Sequence, residues 1–318
     1  MDYRSKFSEL FLKIESDVGT TQLNYFVLTA LKNAIHHFKE KDEQDFFEQF
    51  NLLLENVKNT EPRIALIIDS FYDVWKVLDE AKKVEHPAGH YYWEKKVIDL
   101  IKKNRKITKE ESHTMTKFGV KTIKKGDVIL IHSISHTVLD VIIQAKKSGR
   151  DFKIIVAEQE VEKTQQLIEI LSKNTIHFQV VPEYMLSHIE SDITKVFLGG
   201  VTINEQMNVV ADAGSNAIVS EFHLHKTPIY LFISTRKFSL WKSRESHHTY
   251  KVKNIRTVAN CKPITFERIK FSHDRVPLDF YDFIVTELGV MTPSETFKMY
   301  QEKFSERASW RKQFFQDA

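Results

Sequence analysis

Four short stretches hold the side chains best suited to chemistry: His132-Ser133-Ile134-Ser135, Ala157-Glu158-Gln159-Glu160, Gly199-Gly200-Val201 and Ser234-Thr235-Arg236-Lys237. Each follows an apolar run that reads as a strand, and in open α/β sheets ligands sit outside the carboxyl ends of the strands. A fifth stretch, Ala211-Asp212-Ala213-Gly214-Ser215-Asn216, opens a helix. Unpaired amides at Ser215 and Asn216 would suit an anion; the competing expectation is that Ser215 simply caps the helix.

Other reaction types lack their residues. There is no GxGxxG after the first strand, no GxxxxGK[ST], no HExxH and no GxSxG. His132 and His136 straddle a strand-to-helix junction without a third ligand, and His223 and His225 point to different sides of one helix. His247-His248 falls in a polar loop and is expected to be solvated. No metal and no cofactor are expected. The single cysteine, Cys261, excludes an intramolecular disulfide and a CxxC zinc cage, and lies far in sequence from every strand end. The basic run Lys102-Lys103-Asn104-Arg105-Lys106, flanked by Asp99 and Glu110-Glu111, reads as a solvated helix face.

The elements that must position these groups fall into two textures. Up to about residue 120, apolar residues recur at 3.6-residue spacing, as in Leu23, Phe26, Val27, Ala30, Leu31 and Ile35, then Phe46, Phe50, Leu53, Leu54 and Val57. Asp42 suits an N-cap; a third helix begins at Thr60-Glu61-Pro62 and ends near His86-Pro87, and a fourth covers about 90–117. From Lys125-Gly126-Asp127 onward, apolar runs alternate with helical patterns. The runs are Val128–Ile131, Phe152–Val156, Ile176–Val181, Lys195–Leu198 and Ile229–Ile233. Helices are expected over Ser135–Lys147, Val161–Lys173, Glu183–Glu190 and Ser215–His225, with a loop between Leu198 and Ser215. Continuous apolar strands separated by helices predict a doubly wound, mainly parallel, Rossmann-like α/β domain. The expected division is 1–120 helical and 121–318 α/β. The polar stretch 239–275 has weak strands at Lys251-Val252 and Ile264-Thr265-Phe266 and is expected to wrap the sheet edge; Thr292-Pro293-Ser294-Glu295 forms a capping box opening the last helix.

Length and composition narrow the class. Two domains fit 318 residues. Lys and Arg total 46 against 43 Asp and Glu, a formal +3 that is too even for a chain devoted to gripping nucleic acid. Hydrophobic residues make up 42% and charged residues 28%, as in an ordinary globular chain. Neither a signal peptide nor an apolar membrane-spanning run is present, so a cytoplasmic protein without membrane contact is expected.

The order of these pieces resembles the translation initiation factor 2B alpha/beta/delta regulatory-subunit family, which shares its fold with ribose-1,5-bisphosphate and methylthioribose-1-phosphate isomerases. Gly126-Asp127-Val128-Ile129-Leu130-Ile131-His132-Ser133-Ile134-Ser135 is similar to the family's G-x-x-I-x-T-H-(C/A/Y)-x-S, and Val196–Val201 to V-x-V-G-A-(D/E). The loop to Gly214-Ser215-Asn216 resembles N-K-x-G-T, and Lys237-Phe238 resembles the later K-F. Thr286-Glu287-Leu288-Gly289-Val290-Met291-Thr292-Pro293 resembles T-(D/E)-x-G-V-x-T-P, the most specific of these strings. Upstream, Gly19-Thr20-Thr21 and Thr60-Glu61-Pro62-Arg63 stand more loosely where the isomerases have R-G-A and T-R-P-T.

The resemblance gives meaning to the substitutions. The isomerases' proton-transferring cysteine and aspartate fall on Ser133 and Val201. A hydroxyl is a far weaker acid than a thiol, and valine moves no proton. The phosphate-binding cations fall on Val18, Glu61, Glu160 and Asp212. Carboxylates repel a phosphate that arginine would hold. The resemblance therefore implies a non-catalytic regulatory or scaffolding protein. Its implied associations are a homodimer through the α/β domain, contact with initiation factor 2 or other 2B-type subunits, and a possible sugar-phosphate or nucleotide effector. The alternative is an isomerase-fold enzyme of altered specificity, with Ser133, Glu158, Glu160 and Asp212 in a repurposed acidic pocket. Gly19, Thr20, His132, Ser135, Gly199, Gly200, Gly214, Ser215, Asn216 and Lys237 complete the candidate pocket.

Overall fold

The structure is a computed structural model that describes residues 10, 14–15, 18–37, 43–59, 64–81, 83, 90–240, 249–256 and 264–308. The readings made at Asp42, Thr60–Arg63, His86-Pro87, His247-His248 and Cys261 lie outside the described residues.

Among the described residues the apolar spacing of the N-terminal part becomes the helices α1 (Thr20–His37), α2 (Glu43–Lys58), α3 (Ala65–Ala81) and α4 (His90–Thr122). Their buried faces (Leu23, Leu28 and Leu31 on α1, Phe50 and Leu54 on α2, Ile67, Ile68 and Phe71 on α3) form one apolar cluster. The α4 helix is 33 residues long and runs past residue 120. Val97 and Ile101 near its start join the helical cluster, whereas Met115 near its end packs with Ile129 and Ile131 of the sheet. The basic run sits on its outer side, where Lys102 meets Asp99 at 3.3 Å and Lys106 meets Glu110 at 3.8 Å. Asn104 within that run is buried instead, donating to Asp73 at 3.0 Å.

Beyond α4 the chain alternates: β1 (Asp127–Ile131), α5 (His136–Lys147), β2 (Phe152–Glu158), α6 (Val161–Lys173), β3 (Phe178–Pro182), β4 (Lys195–Gly199), β5 (Thr202–Ile203) and β6 (Asn208–Asp212). There follow α7 (Ser215–His225), β7 (Ile229–Phe232), β8 (Thr249–Arg256), β9 (Ile264–Phe271), β10 (His273–Pro277), β11 (Phe283–Thr286), β12 (Gly289–Met291) and α8 (Pro293–Glu306). The main sheet has the order β12-β11-β7-β4-β1-β2-β3, parallel throughout except for the β11–β12 hairpin. Chain order reverses between β1 and β4, which makes the carboxyl ends of those strands the switch point of a doubly wound fold. Alternation along β1 shows why its run is wholly apolar: Ile129 and Ile131 join one cluster while Leu130 joins the other, so both faces are covered.

Three expectations change. The 199–215 loop contains β5 and β6, which pair with β10 as a separate antiparallel sheet ordered β10-β6-β5. Asn204 shapes that hairpin, its side-chain oxygen accepting the amides of Gln206 at 3.1 Å and Asn208 at 2.9 Å. Next, the expected helix after β3 is two short 3₁₀ segments, Glu183–His188 and Glu190–Asp192, in which only Leu186 is buried. One apolar anchor cannot supply the face that a longer helix requires. Finally, the weak strands in 239–275 extend to eight residues each and pair with one another as a two-stranded ribbon, rather than with the main sheet's edge. The capping box forms as expected, with Thr292 accepting the Glu295 amide and Glu295 accepting the Thr292 amide.

Candidate functional site

A cavity of about 60 Å³ opens at the switch point. Glu15, Gly19, Thr20 and Thr21 line it from the N-terminal segment, Ser133–Thr137 from the β1–α5 turn, and Gly199–Val201 from the end of β4. Ala211, Asp212 and Lys237 close it. The fold thus gathers Gly19, Thr20, Ser133, Ser135, Gly199, Gly200, Val201, Asp212 and Lys237 of the candidate residues.

Local geometry explains the turn. Ser133 adopts φ 58°, a left-handed conformation unusual for a side chain larger than hydrogen, and this reverses the chain before Ser135 caps α5. The Ser135 side chain lies flat against Gly199, where an added Cβ would come within 2.7 Å of the Ser135 Cβ. Lys237 is buried and donates from Nζ to the Gly200 carbonyl at 2.9 Å. Burial pushes its ammonium down to about 8, against the pull of Glu15 and Asp212. Glu15 is buried beside it, accepting the Thr20 hydroxyl at 2.9 Å and lying 3.4 Å from His273 Nε2. Burial disfavours the Glu15 carboxylate, yet the bonds and charges of His273, Thr20 and Lys237 together hold it below its ordinary value.

The remaining candidates lie elsewhere. His132 is fully buried behind the turn; its Nδ1 is 3.4 Å from Ser215 Oγ, and its Nε2 is in contact with the Gln159 amide and 3.6 Å from Glu183 Oε2. Ser215 is not a cap: Gly214, at φ 98°, holds the N-cap position and Ser215 is the first residue of α7. The amides of Gly214 and Asn216 both donate to Asp274 Oδ2 at 2.9 Å, so an internal carboxylate holds the helix start foreseen for an external anion. The three acidic candidates do not converge. Asp212 lines the switch-point cavity, Glu160 occupies the N-cap of α6, and Glu158 lines a second, wider cavity of about 830 Å³ together with Glu183 and Glu221. No motif in the sequence marks Glu15, His273 or Asp274. Nothing in the sequence pairs residues at positions 15 and 273, and His273-Asp274 fell in a stretch read as irregular.

The fold and this switch-point site define an α/β protein of the kind shared by 2B-type initiation factor subunits and sugar-phosphate isomerases. The profile of the Initiation factor 2 subunit family matches residues 17–293, and the chain belongs to that family. It is 21% identical to translation initiation factor eIF2B subunit delta of Dictyostelium discoideum over 233 residues, covering 68% of this chain and 37% of that protein. It is 26% identical over 199 residues to a putative translation initiation factor eIF-2B subunit 2-like protein of Pyrococcus furiosus, covering 61% and 67%. With the ribose 1,5-bisphosphate isomerase of Archaeoglobus fulgidus it shares 21% identity over 274 residues, 84% of each chain. This chain thus spans about one third of the length of the first of these relatives and two thirds of the second. In three dimensions it is similar to the Pyrococcus horikoshii OT3 translation initiation factor eIF-2B, with TM-score 0.73, 20% identity and 93% and 99% of the chains covered. It is also similar to a chain of the tetrameric eIF2B-beta2-delta2 complex from C. thermophilum, with TM-score 0.68, 16% identity and 95% of each chain covered. The 5-methylthioribose 1-phosphate isomerase of Pyrococcus horikoshii OT3 gives TM-score 0.66 at 16% identity, with 94% and 87% covered.

Proposed function

We propose that this chain is a non-catalytic regulatory or scaffolding subunit of the 2B type. It acts in the cytoplasm by protein association: it dimerises through its α/β part and engages initiation factor 2 or sister subunits. The observation that carries this reading is the state of Lys237. Among the described residues it is the one Lys or Arg lining the switch-point cavity, and it donates to the Gly200 carbonyl between Glu15 and Asp212. A sugar phosphate needs free cations there, and about 60 Å³ is small beside the roughly 300–1,000 Å³ of ligand pockets. The resemblance puts Ser133 and Val201 where the isomerases transfer protons, and valine has no proton to give. Relatives that assemble as beta and delta subunits support association as the mode of action.

Sedimentation of the purified chain tests the reading. The expected result is a dimer, or a larger complex when 2B-type subunits are added. A strictly monomeric mass that no added subunit increases would contradict it.

A further inference from the structure

The wide cavity of about 830 Å³ shares no lining residue with the switch-point site. Its size falls within the roughly 300–1,000 Å³ of ligand pockets, and it opens outside the carboxyl ends of β2 and β3, where an open α/β sheet keeps its ligands. Glu158 ends β2 and pairs in register with Pro182, so Glu183, the next residue along, comes close beside it. Glu221 reaches the cavity from α7. Carboxylates from three separate elements therefore line this space, and among the described residues no Lys or Arg does. Pro182, Ile218 and Tyr184 supply apolar and aromatic wall, and Tyr184 is 80% exposed.

Glu221 lacks a donor. Its Oε1 is buried and has no hydrogen-bond partner among the described residues. A buried acceptor left unsatisfied costs free energy until a donor is supplied. Burial and the charge of Glu190 push the Glu221 carboxyl up, against the pull of His225. No group of three or more His, Cys, Asp or Glu side chains among the described residues could hold a metal ion. The negative charge of the cavity is thus spread out, and it calls for cationic centres that are separated in the same way. From this arrangement we infer that the cavity binds a linear aliphatic polyamine, whose ammonium groups pair with Glu158, Glu183 and Glu221 and whose methylene runs pack on Tyr184 and Ile218. Each ammonium carries donors and no acceptor, which suits a wall of carboxylates and an orphaned Oε1. An ammonium near the Tyr184 ring gains a cation–π contact as well. The inference goes beyond the regulatory role proposed above and stands whether or not that role holds.

Isothermal titration of the full chain with spermine tests it. Saturable binding near one per chain is expected in about 50 mM salt, tighter for spermine than for spermidine and weakest for putrescine. Replacing Glu158, Glu183 and Glu221 together by Gln should weaken binding about tenfold or more. The same change at exposed Glu169, Glu302 and Glu306 should leave it within about twofold. Tyr184→Ala removes a side chain that the fold leaves exposed, and should weaken binding about threefold with circular dichroism unchanged. Absence of saturable binding, equal loss in the two triples, or full displacement of spermine by magnesium at equal charge concentration overturns the inference. Displacement by tetralysine at a lower concentration than spermidine requires also overturns it and assigns the cavity to a basic protein segment.

Discussion

Asp274 Oδ2 accepts the Asn216 amide at 2.9 Å, and the same oxygen accepts the Gly214 amide at 2.9 Å. One carboxylate from β10 therefore satisfies two orphan donors at the start of α7 and complements the positive end of that helix. Asp274→Ala should lower unfolding stability by about 1–3 kcal/mol in urea titrations, because two amides lose a charged acceptor. Asp274→Asn keeps an acceptor without the charge and should lose less. Equal stability of wild type and Asp274→Ala would show that the contact contributes nothing.

Gly214 itself is constrained twice. Its φ of 98° is strained for any side chain, and an added Cβ would stand 2.9 Å from both His132 Nε2 and Glu183 Oε1. Gly214→Ala should destabilise by about 1–3 kcal/mol. The loss should shrink in the background of Glu183→Ala, which removes one of the two obstructing groups. A double-mutant cycle measures that coupling.

These two sites show what was legible in the residue string. Strands β1, β2, β4 and β7 announce themselves because both faces are buried and each carries an apolar run, Val128–Ile131, Ile154–Ala157, Val196–Leu198 and Ile229–Phe232. Helix α7 has a pattern of its own, whereas its partner Asp274 has none. Asp274 lies 58 residues from Asn216, and no local pattern links them. The acidic candidates stand apart for a topological reason. β2 and β4 flank β1 on opposite sides, so carboxylates after β2 do not share a cavity with those reached from β4. Sheet β10-β6-β5 leaves little local signal because β5 has only two residues and β10 comes from a distant segment.

Glu111 on α4 has a buried Oε2 without a hydrogen-bond partner. Burial pushes its carboxyl up to about 7 from 4.5, with Glu287 adding to the rise while Arg236 and Lys303 oppose it. The folded state thus holds a proton that the unfolded chain releases earlier. The stabilising contribution is fully present below pH 4.5 and is lost as pH rises through about 7. Stability of wild type relative to Glu111→Gln should accordingly fall across that interval and then level off. A flat difference between the two proteins from pH 4.5 to about 7 would refute the assignment.

Lys237 should give the opposite slope at higher pH. Its folded value of about 8 lies below the ordinary 10.5, so the folded state releases a proton that the unfolded chain retains. Wild type should gain stability relative to Lys237→Met as pH rises from about 8 to 10.5. Thermal denaturation of both proteins across that range reads the difference, and a gap that widens against wild type would contradict the buried ammonium.

The proposed function requires that the switch-point site carry out no isomerase chemistry. Phosphorus NMR of the full chain incubated with ribose-1,5-bisphosphate, and separately with 5-methylthioribose-1-phosphate, tests it most directly. The account predicts no conversion above the protein-free control, in wild type and in Ser133→Ala alike. Saturable turnover by the wild type that disappears in Ser133→Ala would contradict it.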